Sequence, residues 1–200
     1  MSVAPHSTRW THRLNGEDPA SPLGQNNGAW SSTATGTVVG KYWAHGNLRG
    51  IGYNTINPTT DTLTLVASFK YETTPSSGTV LFSLESTVGD VKILSDGGDT
   101  ALLMQSTVGL GVDSTTISNL DLKSDFFFRL TLDGHVATLY PFDLKETETG
   151  DTLSHSTTST GTSNPKNSFG CNSGNVLFGN IYFTDQGAFD TDEFSPSLRS

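Results

Sequence analysis

Twenty carboxylates and five histidines are where chemistry would start in this chain. A glycosidase built on strands needs an acid and a nucleophile about 5 Å apart. Alternate positions of one strand supply that spacing, because side chains i and i+2 point the same way. Glycosidases on sandwich strands carry this as a Glu-x-Asp-x-x-Glu pattern, and none of the glutamates gives that motif. Glu17 directly precedes Asp18, Glu72 and Glu85 are followed by Thr73 and Ser86, and Glu193 stands near the end. Glu146 and Glu148 would share a face if extended. Their neighbours in "DLKETETGD" are polar, so nothing there would raise a carboxyl pKa for acid catalysis. No catalytic residue is assigned, and the chain is read as a non-enzyme.

Calcium is the ion that the acidic turns suit, since hard cations take oxygen-rich loops. "DGGD" places Asp96 and Asp99 on a glycine-flexible turn, and "DTDE" clusters Asp190, Asp192 and Glu193. Aspartate also favours turns for its own backbone hydrogen bonds. No cofactor beyond a possible calcium ion is implied. His6, His12, His45, His135 and His155 lack zinc spacing. Cys171 is the sole cysteine and reads as packing. A sugar platform of aromatic and amide groups is available at Tyr42, Trp43 and Asn47, although Trp43 suits a core or rim position better.

The elements that must position these groups read as strands. "DFFFRLTLDGHVATLYPF" holds two apolar runs around an Asp-Gly pair, a strong hairpin signal. With Asp133 and Gly134 as the loop, Leu132 would face His135, Leu130 would face Ala137, and Phe128 would face Leu139. That side is a core face. "DTLTLVASFKYE" alternates strictly: Leu63, Leu65, Ala67, Phe69 and Tyr71 on one side, Thr62, Thr64, Ser68 and Lys70 on a wet side. Shorter runs recur near 38–43, 48–53, 79–85, 90–95, 100–106 and 115–120. A final core strand, "NVLFGNIYFTD", is expected to bury Leu177, Ile181 and Phe183 together. Residues 143–165 read as a long loop or an outer-edge excursion.

Composition agrees. Hydrophobic residues are 34% and charged residues 16%, with 21 glycines and two methionines. Serine and threonine fill about a quarter of the chain, well above ordinary usage. Many short strands joined by polar turns fit; helices do not. The expectation is one domain over 1–200, with a polar N-terminal segment (about 1–37) and a short tail. The net charge of −9 and thinly spread basic residues exclude a nucleic-acid footprint and an anionic-membrane binder. No run approaches a membrane helix, so no membrane insertion is expected. "MSVAPHSTRW" lacks the apolar core of a signal peptide, and the chain holds no N-glycosylation sequon.

Several stretches resemble the concanavalin A-like, laminin G-like jelly-roll family. "FFFRLTLDGHVATLY" is similar to its strand–tight turn–strand unit, and "FGCNSGNVLFGNIYFTDQGAFDTDEF" to its closing pattern. "LNGEDPASPLGQNNGAW" is similar to its opening loop, while "LTLVASFKY" and "TVLFSLE" sit where it places its first central strands. The resemblance implies an all-β, two-sheet antiparallel β-sandwich. The fold hosts lectins, glycosidases and inert modules alike.

Together these readings predict a non-enzymatic surface or assembly module. A virion accessory protein for capsid decoration or host attachment fits a chain without an export signal but with a surface-like composition. A glycan-binding module, with calcium as the ion it would use, is the alternative. The expected partners are other subunits of an assembly and cell-surface glycans, and the expected location is a virion or an extracellular surface. Residues 1–35 and the tail "SPSLRS" have little apolar surface to offset ordering entropy, so they are expected to contact other chains.

Overall fold

Strand content dominates because the β-branched and aromatic residues recur in short alternating runs between glycine-rich turns. The computed structural model describes residues 12–14, 29–36, 40–46, 51–53, 61–108, 111–142, 151–154, 167–171 and 173–184. Every regular element among them is a strand, and none is a helix long and apolar enough to cross a membrane. The strands are β1 (His12–Leu14), β2 (Ala29–Gly36), β3 (Gly40–Gly46), β4 (Ile51–Tyr53), β5 (Thr62–Thr73), β6 (Val80–Glu85) and β7 (Asp90–Ser95). They continue as β8 (Ala101–Val108), β9 (Gly111–Ser118), β10 (Phe126–Asp133), β11 (Val136–Phe142), β12 (Asp151–Ser154), β13 (Asn167–Phe169) and β14 (Asn175–Thr184).

Two antiparallel sheets result. One has eight strands in the order β12-β11-β10-β5-β14-β3-β2, with β1 also paired to β14. The other has six, β4-β13-β6-β7-β8-β9. The sheets meet through aromatic rings. Phe82 on β6 lies 5.0 Å edge-on from Phe128 on β10, 5.6 Å from Phe69 on β5 and 5.5 Å from Phe178 on β14. All four are fully buried. The fold is therefore the all-β sandwich that the alternation predicts.

The hairpin forms one step later than Asp-Gly suggested. Gly134 and His135 are the loop residues, and Asp133 pairs with Val136. Gly134 has φ +58°, and the next residue needs no positive φ. This is a glycine-first tight turn. Two contacts fix it: the Gly134 amide donates to Asp61 O at 3.0 Å, and Thr62 Oγ1 donates to Asp133 Oδ1 at 2.8 Å. Leu132 thus faces Ala137, Leu130 faces Leu139, and Phe128 faces Pro141. Each partner has moved by two residues, an even number, so the core face survives unchanged. Phe128, Leu130, Leu132, Ala137 and Leu139 are all fully buried.

Two other readings are corrected. Both faces of β5 are covered: Thr64 and Ser68 have no exposed surface, although they alternate with the core residues. Its neighbours β10 and β14 carry large side chains on that same face, including Phe127, Arg129 and Leu177. In β14 the register slips by one residue between Phe178 and Ile181. A bulge at Gly179–Asn180 transfers the core face from even to odd positions. Val176 and Phe178 therefore join Ile181 and Phe183 in the core, while Leu177 is buried on the opposite side. The polar stretches also hold strands that alternation did not reveal. β1 and β2 lie within residues 1–37, and β12 forms the edge of the eight-stranded sheet, pairing with β11.

Candidate functional site

The β7–β8 loop presents Asp96 and Asp99 at one end of the sandwich. Gly97 has φ +96°, a conformation that side-chain-bearing residues rarely adopt, which lets the loop turn back within four residues. Its amide donates to Ser95 Oγ at 3.1 Å, and Ser95 Oγ in turn donates to Pro75 O at 3.0 Å. Asp96 serves its own turn, since Oδ1 accepts the Gly98 amide at 2.8 Å. Asp99 reaches across to neighbouring loops. Its Oδ1 accepts the Thr74 hydroxyl and lies 3.6 Å from Lys123 Nζ. That ammonium also donates to Glu72 O at 3.2 Å. The Asp99 carbonyl accepts the Leu122 amide at 3.0 Å.

The loop end thus pairs Asp99 with an ammonium group, and a bound cation would have to displace Lys123. Among the described residues no three of His, Cys, Asp and Glu converge on one point. Asp190 and Asp192 lie outside the described residues, as does Asn47. Tyr42 and Trp43 stand on β3, where Trp43 is in register with Trp30 on β2 and Phe178 on β14. β3 belongs to the eight-stranded sheet and the Asp96–Asp99 loop to the six-stranded one.

Behind the loop sit Tyr71 and Cys171, both almost fully buried. Burial pushes the Tyr71 phenol well above its ordinary value, and the charges of Asp96 and Asp99 push it further. Ser95 lies close and offsets part of this. Its hydroxyl is committed to Pro75, and the phenol oxygen has no hydrogen-bond partner. Burial likewise raises the Cys171 thiol, with the Val176 and Ser173 amides pulling the other way. A buried, protonated thiol is packing material. On the exposed rim, the Ser124 hydroxyl donates to Asp121 Oδ2 at 2.7 Å and holds that carboxyl below its usual range.

Two groupings were not singled out from the sequence. Arg129 stacks over the Tyr140 ring at 4.1 Å, because the true hairpin register makes them cross-strand partners. Glu85 and Asp90 are cross-strand partners at the β6–β7 turn, with Ser106 Oγ donating to Asp90 Oδ1 at 2.9 Å. The signal for the second was present: in "ESTVGD" two carboxylates bracket a four-residue turn, and such residues face each other in a hairpin.

No protein-family profile and no curated protein sequence matches the chain. Solved structures do match. The chain is similar to the binding domain of botulinum neurotoxin DC in complex with rat synaptotagmin II (TM-score 0.66, 11% identity, 94% of this chain and 50% of that one). It is similar to the same binding domain in complex with SialylT (TM-score 0.61, 8% identity, 94% and 50%). It is also similar to the botulinum neurotoxin serotype D binding domain (TM-score 0.63, 9% identity, 94% and 50%). The chain spans about half the length of these domains, and identities this low establish a shared β-sandwich fold.

Proposed function

We propose that this chain is a non-catalytic recognition module, a β-sandwich that holds a partner on its surface and does no chemistry on it. The observation that carries the reading is the likeness over 94% of the chain to domains whose business is binding. No described strand carries two carboxylates at alternate positions, which supports it. The setting that best fits the composition is a virion accessory protein for capsid decoration or host attachment. In that setting its partners are neighbouring subunits, cell-surface glycans or both.

A glycan ligand is the second reading, favoured by a similar domain solved with SialylT. Calcium at Asp96 and Asp99 would belong to this reading. The test is a glycan array, run with and without calcium, beside native mass measurement of the purified chain. Binding to glycans, or a defined oligomer, without turnover is the expected result. A monomer that binds no glycan and no subunit of its particle overturns the reading.

A further inference from the structure

The chain holds two Asp-Gly pairs, Asp96-Gly97 and Asp133-Gly134. Such a pair can close on itself, because the glycine nitrogen reaches the aspartate Cγ with no side chain of its own in the way. The fold treats the two pairs differently. Asp133 ends β10, in register with Val136 on one side and Thr62 on the other. The Thr62 hydroxyl holds its Oδ1 at 2.8 Å, so the carboxyl is turned across to β5. The peptide that follows is clamped as well, with the Gly134 amide on Asp61 O at 3.0 Å and Gly89 packed against the Gly134 carbonyl oxygen. Asp96 is exposed and lies outside the ladder. Its carboxyl is bent forward over its own next peptide: Oδ1 accepts the Gly98 amide at 2.8 Å, and a Cβ on Gly98 would lie 3.9 Å from Asp96 Cγ. Gly97 between them is also exposed. The turn demands glycine there, since φ is +96° and a Cβ would stand 3.2 Å from Ser77 Cβ. The reactive pair is therefore imposed by the loop's own geometry.

We infer that Asp96 is a site of spontaneous covalent modification, closing to a succinimide and reopening as isoaspartate, while the hairpin shields Asp133. In the first step a bond forms between the Gly97 nitrogen and Asp96 Cγ, and a Cγ–O bond breaks. The amide proton, the departing oxygen and one proton from solvent leave together as water. In the second step water adds back. Breaking the new bond restores aspartate; breaking the original peptide bond leaves the chain running through Cγ. The sequence of steps is an isomerisation overall, so it consumes no oxidant, metal or cofactor. Isoaspartate adds one methylene to the loop backbone and withdraws the acceptor of the Gly98 amide. The same loop carries Asp99 to Thr74 and Lys123, so its lengthening loosens the ties between neighbouring loops at that end of the sandwich.

The experiment stores the full chain for weeks at pH 7 and 37 °C, once folded and once in guanidinium chloride, and then digests it with trypsin. Electron-transfer fragmentation reads isoaspartate in peptide 93–123, which carries Asp96, and in peptide 130–145, which carries Asp133. Unfolded, the two sites should convert at similar rates, because both are Asp-Gly. Folded, Asp96 should convert about tenfold faster, since Asp133 must first break a hydrogen bond and its strand pairing, a barrier difference of about 1.4 kcal/mol. Asp96→Glu keeps the charge but cannot close a five-membered ring. That variant, checked for folding by circular dichroism, should lose the signal at residue 96 and keep the signal at Asp133 unchanged. Its melting temperature should fall less on storage than that of the wild type. Equal rates at the two sites in the folded chain, or no isoaspartate at Asp96, overturn the inference. Melting temperatures that fall equally in the two proteins overturn the loosening of the loop.

Discussion

Outward on the eight-stranded sheet, Thr138, Thr131, Thr64 and Thr184 run in register across four strands, and Thr64 and Thr184 have no exposed surface. Beside them Arg129 lies 4.1 Å from the Tyr140 ring and is 3% exposed. Outward on the six-stranded sheet, the corresponding row runs from a buried Ser83 through half-buried Lys92 and Gln105 to an exposed Ser114. One sheet seals its outer polar groups; on the other they open to solvent step by step toward the edge strand β9. Both rows read alike in sequence, as small polar residues alternating with core ones. Period-two alternation tells which side chains share a face, not whether that face is covered.

The comparison presumes one core shared by both sheets, and the largest expected effect tests that. Phe128 is fully buried and touches rings from both sheets. Phe128→Ala should cost about 3–5 kcal/mol in urea melts. A loss below about 1 kcal/mol would mean the sheets are not packed through it. A second join lies at the far end, where a Cβ on Gly89 would stand 2.3 Å from the Gly134 carbonyl oxygen. Backbone cannot yield as a flexible side chain can. Gly89→Ala should therefore cost about 1–3 kcal/mol, the usual penalty for overpacking. An unchanged melting temperature would show that the β6–β7 turn does not dock on the hairpin.

The two outer faces are then set against each other directly. Arg129→Met removes a nearly buried cation–π contact and should cost about 1–2 kcal/mol. Lys92→Met removes a half-buried ammonium and should stay within about 0.5 kcal/mol. Equal losses at the two sites would erase the distinction between the faces.

How much of this was legible in the sequence follows from which physical signals are local. The inner faces were legible, because hydrophobic alternation in β5, β7 and β10 is local and strong. The hairpin face was legible although its partners were off by two, since any even slip keeps the face. The β14 bulge was not, because the transfer from Phe178 to Ile181 depends on one extra residue that pairs with nothing on β5. The short strands β1, β2, β12 and β13 are polar or only three or four residues long, and tertiary pairing makes them, not pattern. Of the candidate site, Asp96 and Asp99 were found as turn residues. The Lys123 that meets Asp99 comes from a separate loop, and nothing in "DGGD" foretells it.

The smallest effect concerns the buried phenol behind that loop. Tyr71 is 2% exposed and its hydroxyl has no hydrogen-bond partner. Replacing a buried, unpaired hydroxyl by hydrogen is close to neutral, so Tyr71→Phe should change stability at pH 7 by less than about 1 kcal/mol. The pH dependence carries more information. Burial, aided by Asp96 and Asp99, raises the folded-state pKa above that of the unfolded chain. The folded protein then keeps a proton that the unfolded one releases. Stability from this group is fully present below the ordinary tyrosine value of about 10 and falls as pH rises through it. Unfolding in urea at pH 7 and again near pH 10.5 separates the two proteins. The wild type should lose more stability over that interval than Tyr71→Phe, whose remaining tyrosines are common to both. Parallel losses would mean that the phenol reaches water, and that the loop carrying Asp96 and Asp99 is not closed over the core.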